Sequence, residues 1–165
     1  MIIDLKRIFV TDNSDTSIDY ALDMSDLEIG GIKPLKEPVK LKGKVTNSAS
    51  LVRLTAEIFY NYEAPCDRCG LVSNQSHSVT VEKSLAQATE NEDSDTILLT
   101  PDMKLDLDEF IYTEVVLSLP TKHLWKEACK GICPNCGKNL NVGECGCEKR
   151  EIDPRLQALA DLLND

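Results

Sequence analysis

Cysteines are the residues of this chain whose type and spacing most clearly indicate chemistry. Seven of them occur in 165 residues. Two residues separate Cys133 from Cys136, and Gly137 follows, which is the pattern of a zinc knuckle. A second pair, Cys145 and Cys147, comes shortly afterwards. Four thiolates complete the closed tetrahedral shell of a structural zinc ion and leave no open position for catalysis. The spacing therefore predicts a structural zinc site at Cys133, Cys136, Cys145 and Cys147.

The segment around these cysteines also needs a metal for its folding. Residues 129–150 contain too little apolar surface to offset the entropy lost when they become ordered. Zinc binding supplies about 10–16 kcal/mol in small finger peptides, which is enough to replace a hydrophobic core. The alternative, two disulfides or reduced buried thiols, is disfavoured by the spacing.

The three remaining cysteines leave several interpretations open. Cys66 and Cys69 form another pair with two residues between them, again followed by glycine. With two more ligands the pair would hold a second zinc ion, for which the candidate set is Cys66, Cys69, Cys129 and His123. A rival arrangement joins the pair to Cys133 and Cys136 in one long-range site. The pair could instead be a redox-active dithiol, although it is expected in a turn between strands rather than at a helix start. It could also be reduced and unliganded.

No other group of residues indicates catalysis. The sequence has no nucleophile elbow, phosphate-binding loop, dinucleotide fingerprint or HExxH motif. His77 lies in a polar stretch and is expected at the surface. We therefore expect a protein that is not an enzyme and has no small-molecule substrate.

Charge is unevenly distributed along the chain. The formal net charge of −10 argues against non-specific nucleic-acid binding, which depends on lysine and arginine. Residues 11–29 hold six acids and no base. In contrast, a lysine-rich stretch precedes Arg53, and more lysines lie among the later cysteines. A direct RNA contact, if made, is predicted at Lys40, Lys42, Lys44, Arg53, Lys130 and Lys138. The alternative is that these residues are the solvated side of a strand.

Hydrophobic periodicity outlines the elements that position the cysteines. Residues 1–10 are predicted as a strand or strand-like arm, and 16–22 as a short strand. Residues 39–45 and 51–62 alternate apolar and polar side chains and should pair as a hairpin, followed by a strand at 72–85. A helix is expected after Asp106 or Asp108 as N-cap, ending at Pro120. Asp153 and Pro154 predict the start of a final amphipathic helix.

The expected fold class is α+β, with a small antiparallel β-sheet or partial barrel, a few helices and a C-terminal cysteine-rich zinc module. We predict an α+β domain at 1–120, a zinc-binding module at 121–150 and a helix at 151–165. The N-terminus lacks the features of a signal peptide, and no apolar run is long enough to span a membrane. A cytoplasmic protein without membrane contact is therefore expected.

Several short motifs in this order resemble one family. They are Cys66-Asp67-Arg68-Cys69, Leu117-Ser118-Leu119-Pro120, the stretch from Cys129 to Asn141, Cys145-Gly146-Cys147 and Asp153-Pro154-Arg155-Leu156. Together they resemble the YceD family of bacterial proteins, over nearly the whole chain. Members often carry a further cysteine a few residues after the Leu-Pro; here Trp125 stands near that place, and His123 is the candidate substitute.

The resemblance implies a role in making or maturing the large ribosomal subunit, because the family is linked to accumulation of large-subunit ribosomal RNA. The implied partners are the pre-ribosomal large subunit, rRNA or a basic ribosomal protein. A non-catalytic factor in ribosome biogenesis with structural zinc is thus the leading hypothesis. The alternatives are a cytoplasmic thiol redox protein and an adaptor that binds only proteins.

Overall fold

The computed structural model describes residues 1–88 and 96–147 of the chain. Contacts divide the chain into two compact units, Met1–Trp125 and Lys126–Asp165. The first unit contains all the strands and helices named below, and the second contains the cysteine-rich segment. Among the described residues, no helix has the length and apolar character needed to cross a membrane.

Most of the first unit is β-structure. In chain order its elements are β1 (Ile2–Asp4), α1 (Lys6–Val10), β2 (Ser14–Leu22), β3 (Val39–Ser48), β4 (Leu51–Pro65), β5 (Val72–Ala86), β6 (Ile97–Leu99), a 3₁₀ turn (Pro101–Met103), β7 (Lys104–Asp106) and α2 (Leu107–Ser118). Strands β2 to β6 form one curled five-stranded sheet in sequence order. Neighbouring strands run antiparallel, except β5 and β6, which are parallel. Strands β1 and β7 form a separate antiparallel pair.

The predicted hairpin is formed by β3 and β4. Ser48 pairs with Leu51, so the loop between the strands has only two residues. Both loop residues, Ala49 and Ser50, have positive φ angles, of 53° and 64°. Such a loop twists in the sense that matches the right-handed twist of the strands it joins. The alternation of apolar and polar residues then places one face of each strand in the core.

The core lies between the inner face of the sheet and α2. Leu41, Leu54 and Ile58 contribute fully buried side chains from the sheet, and Ile111 contributes one from the helix. Helix α2 begins at the predicted cap, since the side chain of Asp106 accepts a hydrogen bond from the backbone N–H of Asp108 at 3.0 Å. This bond satisfies one of the donors that a helix start leaves unpaired.

The predicted fold class is confirmed, but the N-terminal strand prediction is wrong over residues 6–10. Only Ile2–Asp4 is extended, and α1 follows at once. The carboxylate of Asp4 accepts the backbone N–H of Lys6 at 2.9 Å, which turns the chain into the helix. Leu5 and Ile8, three residues apart, are then both buried.

The first unit continues past residue 120, the predicted domain boundary, to Trp125. The reason is local hydrogen bonding at one end of β5, where the side-chain amide of Gln75 donates to the carbonyl of Leu124 at 2.7 Å. The helix predicted at 151–165 lies outside the described residues.

Candidate metal centre

Four sulfur atoms of the second unit converge on one point. The Sγ atoms of Cys133, Cys136, Cys145 and Cys147 all lie within 4.8 Å of one another. A tetrahedral zinc ion with Zn–S bonds of about 2.3 Å would require sulfur atoms about 3.8 Å apart. The donor set therefore fits a closed thiolate site, and this cluster could bind a metal ion.

A tight turn presents the first two of these cysteines. The backbone N–H of Gly137 donates to the carbonyl oxygen of Cys133 at 2.9 Å, and that of Cys133 donates to Lys138 at 2.8 Å. Gly137 has φ of +72°, a conformation that is costly for residues with a Cβ atom. The turn thus needs the glycine that the sequence pattern singled out.

The turn aims backbone donors at the sulfur of Cys133. N–H groups of Cys136 and Asn135 bond to this sulfur and lower the pKa of the Cys133 thiol to about 6. The opposite occurs at Cys147, where a side-chain hydrogen bond with Cys136, together with burial, raises the pKa to about 12. Without a cation, the clustered sulfurs must therefore share protons. A bound dication would replace those protons and allow all four to be thiolates.

Asn141 organises the start of the same segment, and sequence reasoning missed it. Its side-chain amide donates to Cys129 Sγ at 3.4 Å, and its carbonyl oxygen accepts the backbone N–H of Lys130 at 2.8 Å. Asn139 in turn accepts both the backbone and side-chain N–H groups of Asn141. The available signal was a pair of asparagines, which favour such local turns, just after the knuckle.

The first unit contains a second turn of the same construction, between β4 and β5. The N–H of Gly70, whose φ is +72°, donates to the carbonyl of Cys66 at 2.8 Å. Burial raises the pKa of the Cys66 thiol, but backbone N–H groups of Trp125, Arg68 and Cys69 outweigh it, so the net shift is downward. This turn also stabilises an anionic sulfur.

His123, the proposed fourth ligand of a second site, is almost fully buried in the first unit. Its Nε2 lies 2.9 Å from the hydroxyl of Ser73, and its backbone N–H donates to Asp67 at 2.7 Å. Its Nδ1 has no hydrogen-bond partner among the described residues. Cys129 belongs to the other unit, so the second site remains a prediction. The rival long-range arrangement also joins cysteines of both units and remains a prediction. The redox dithiol at Cys66 and Cys69 remains a prediction as well.

His77 differs from its expected surface position. The ring is half-buried and stacks on Tyr60, with ring centroids 5.4 Å apart. Burial lowers the pKa of His77, and the nearby charge of His123 lowers it further. The reason is that β5 directs this residue to the inner face of the sheet, which its polar sequence neighbours do not indicate.

Comparison with known proteins identifies the family. The sequence model described as large ribosomal RNA subunit accumulation protein YceD matches residues 54–163, a segment that contains every cysteine of the chain. The chain belongs to the YceD family. The resemblance inferred from its motifs is thereby confirmed.

Relatives of this YceD-family chain are distant. It is 27% identical over 128 residues to the uncharacterised protein YlbN of Bacillus subtilis, covering 76% of this chain and 74% of YlbN. An uncharacterised protein of Mycobacterium tuberculosis is 34% identical over 74 residues, or 45% of this chain and 35% of that protein. The chloroplastic YCED homolog 1 of Arabidopsis thaliana is 33% identical over 69 residues, or 41% of this chain and 22% of the homolog. No solved structure matches the chain.

The sheet residues predicted to contact RNA are interleaved with acids in this YceD-family chain. Lys40, Lys42 and Lys44 are all exposed on the outer face of β3. Lys42 pairs in register with Asp19 on one side and Glu57 on the other. Strand pairing therefore brings negative charge beside the lysine-rich strand.

Two further pairs show the same pattern. Lys44 lies 3.4 Å from Asp15, and Arg53 lies 3.2 Å from Glu82.

In the cysteine-rich unit Lys130 is exposed, while Lys138 donates to the backbone carbonyl of Glu144 at 2.7 Å. An RNA contact through these residues stays a prediction.

Proposed function

We propose that this chain is a non-catalytic factor in ribosome biogenesis that supports the accumulation or maturation of large-subunit rRNA. The observation that carries the proposal is membership of a family described by that role. The name of the Arabidopsis relative contains the same description. The other two relatives are uncharacterised and add no functional information.

We further propose that zinc serves as scaffolding in this role. The four sulfurs of the cysteine cluster would occupy every position of a tetrahedral ion and leave none for water or substrate. The chemistry that the ion would supply is therefore cross-linking of the Cys133–Cys136 turn to the segment that carries Cys145 and Cys147. Function then lies on the surfaces that this cross-link holds in place, and the chain acts by binding.

The proposed partner is the pre-ribosomal large subunit, which the chain binds in the cytoplasm by contacting rRNA or a basic ribosomal protein. Net charge favours the protein, because a chain of charge −10 attracts basic partners and repels phosphate. The acids interleaved with the β3 lysines act in the same direction.

A deletion strain tests the proposal. Large-subunit rRNA and its precursors are measured after deletion and after complementation, and the chain is followed across a ribosome gradient. We expect mature large-subunit rRNA to fall relative to small-subunit rRNA, wild-type chain to restore it, and the chain to co-sediment with large-subunit precursors. Unchanged rRNA levels together with no co-sedimentation would refute the proposal.

Charge reversal tests whether the chain contacts rRNA or a protein of the pre-ribosomal subunit. Changing the six predicted RNA contacts to glutamate should leave co-sedimentation unchanged if a protein is the contact, and abolish it if rRNA is. They are Lys40, Lys42, Lys44, Arg53, Lys130 and Lys138. Treatment of the complex with ribonuclease separates the same cases, because an adaptor for proteins alone retains its partners.

The redox alternative has its own measurement. Free thiols are titrated in native protein with and without a chelator. Thiols that react only after chelation are metal ligands, whereas a redox dithiol at Cys66 and Cys69 would react in both conditions and cycle with a thiol oxidant.

A further inference from the structure

An acid-rimmed groove lies in the first unit, between the chain that leaves β2 and the first turns of α2. Its volume is about 670 Å³. Apolar side chains form the floor, which consists of Leu22, Met24, Leu27 and Tyr112. Acidic side chains stand around them, among them Asp23, Glu28 and Glu109. The groove thus combines an apolar strip with negative charge on its margins.

The negative charge of this rim is largely uncompensated. Asp26 pairs with Lys33 at 3.0 Å, and the carboxylate of Asp108 is held by the chain's amino group. Within residues 1–88 and 96–147, no ion pair involves Asp23, Glu28 or Glu109. These three carboxylates are therefore available to cations from outside the chain.

The apolar floor continues along the exposed side of α2. Tyr112 is 49% exposed, Val116 is 38% exposed and Leu117 is 77% exposed. Residues four apart on a helix share a face, so Val116 extends the floor at Tyr112 by about 6 Å, whereas Leu117 lies about 140° further round the helix. Tyr112 and Val116 therefore form a short apolar stripe on α2 that adjoins the groove, because Tyr112 also lines it.

We propose that this groove and the adjoining helix stripe bind a basic, amphipathic segment of a partner protein. Apolar side chains of that segment would cover Leu27 and Tyr112, and its lysines or arginines would reach Glu28 and Glu109. Amphipathic helices dock on apolar grooves in this way, and complementary charge fixes their orientation. The inference goes beyond the proposed function and needs no ribosome for its test.

Charge disfavours the other occupants that the chain itself suggests. RNA would place phosphates against the acidic rim. A second copy carries the same net charge of −10. The chain's own residues 151–165 contain four acids and one base, so they carry the wrong sign as well.

Peptide binding to the full-length chain tests the proposal. The probe is a fluorescent peptide of about 14 residues with leucines at helical i, i+3, i+4 and i+7 spacing and lysines elsewhere. A second peptide has the same composition in an order that has no apolar face. We expect the amphipathic peptide to bind at least about tenfold more tightly than the shuffled one at physiological salt, by fluorescence anisotropy.

Matched variants locate the site. Changing Glu28 and Glu109 to lysine should weaken binding about tenfold. The same charge change at Asp19 and Glu57, exposed on the outer sheet face, should weaken it less than about twofold. Likewise Tyr112→Ser should weaken binding about tenfold, and Phe59→Ser, at an aromatic residue exposed on the outer face, should not. Thermal melting verifies that each variant is folded.

Several outcomes would overturn the proposal. The first is equal affinity for the two peptides. The second is an equal loss of peptide affinity in the groove variants and the outer-face variants. The third is displacement of the bound peptide by a single-stranded RNA oligonucleotide. An affinity gain of about tenfold or more on removal of residues 151–165 would also overturn it, because that segment would then be the occupant.

Discussion

Gly70 and Gly137 occupy the same position in two separate turns. Each has φ of +72°, and each donates its backbone N–H to the carbonyl of the cysteine four residues earlier, at 2.8 Å for Cys66 and 2.9 Å for Cys133. In both turns, backbone N–H groups also point at the sulfur of that first cysteine. The chain therefore builds the same anion-stabilising turn twice, in different compact units.

Replacing Gly137 by alanine should weaken zinc binding. The left-handed backbone costs a residue with Cβ about 1–2 kcal/mol, so we expect affinity to fall about five- to thirtyfold in competition with a chromophoric chelator. Gly146→Ala is the matched control, since Gly146 also has no neighbour within 4 Å of an added Cβ but lacks a positive φ. Equal effects of the two substitutions would show that the turn does not depend on this conformation.

In the metal-free chain, Cys133 should remain a thiolate down to about pH 6. The pKa of Cys133 is lowered from 9.0 to about 6, so the folded site holds this proton less tightly than an ordinary thiol. The thiolate form persists as pH falls from 9 to about 6, while the stabilisation it provides is complete above about pH 9 and is lost progressively over this range. The measurement is the alkylation rate of Cys133 in metal-free protein at stepped pH, followed by peptide mass spectrometry. A reactivity midpoint near pH 8.5, where ordinary thiols titrate, would contradict the expectation.

Gly43→Ala should destabilise the sheet. An added Cβ would lie 2.8 Å from the Cβ of Ala56, its partner on β4, and 2.9 Å from the carbonyl oxygen of Thr55. We expect a loss of about 1–3 kcal/mol in the free energy of unfolding, measured by denaturant titration. The double variant with Ala56→Gly should recover part of this loss, because only the first clash is removed. If the double variant recovers no stability, the strain comes only from the contact with the backbone carbonyl of Thr55.

The ion pair between Lys83 and Glu114 should contribute more to stability than a surface pair. These side chains lie 3.0 Å apart and are only 20% and 14% exposed, and they join β5 to α2. A double-mutant cycle with Lys83→Met and Glu114→Gln should give a coupling of about 1–2 kcal/mol.

The matched comparison is Arg53 with Glu82, at 3.2 Å but 47% and 60% exposed. For that pair we expect a coupling of about 0.5 kcal/mol or less. A coupling of similar size for both pairs would mean that burial does not decide the strength of the contact.

Local pattern made several features of this protein predictable. Two residues between cysteines and a glycine after them specify the knuckle at Cys133 without reference to the rest of the chain, because the turn is built from consecutive residues. The β3–β4 hairpin follows from alternation with period two and a short loop, and the start of α2 follows from the capping side chain of Asp106. The bond from Asn141 to Cys129 was missed because it joins side chains twelve residues apart, and neither cysteine spacing nor apolar alternation encodes such a contact.

Only the tertiary structure decided which residues become neighbours. The lysine stretch on β3 appears basic in sequence, but the register of β2 and β4 sets Asp19 and Glu57 beside Lys42. The acid-rimmed groove likewise joins Glu28 to Glu109, residues far apart along the chain. Sequence patterns report the side-chain period of each element, whereas charge neighbours and grooves depend on how elements pair, which is determined by packing of the whole unit.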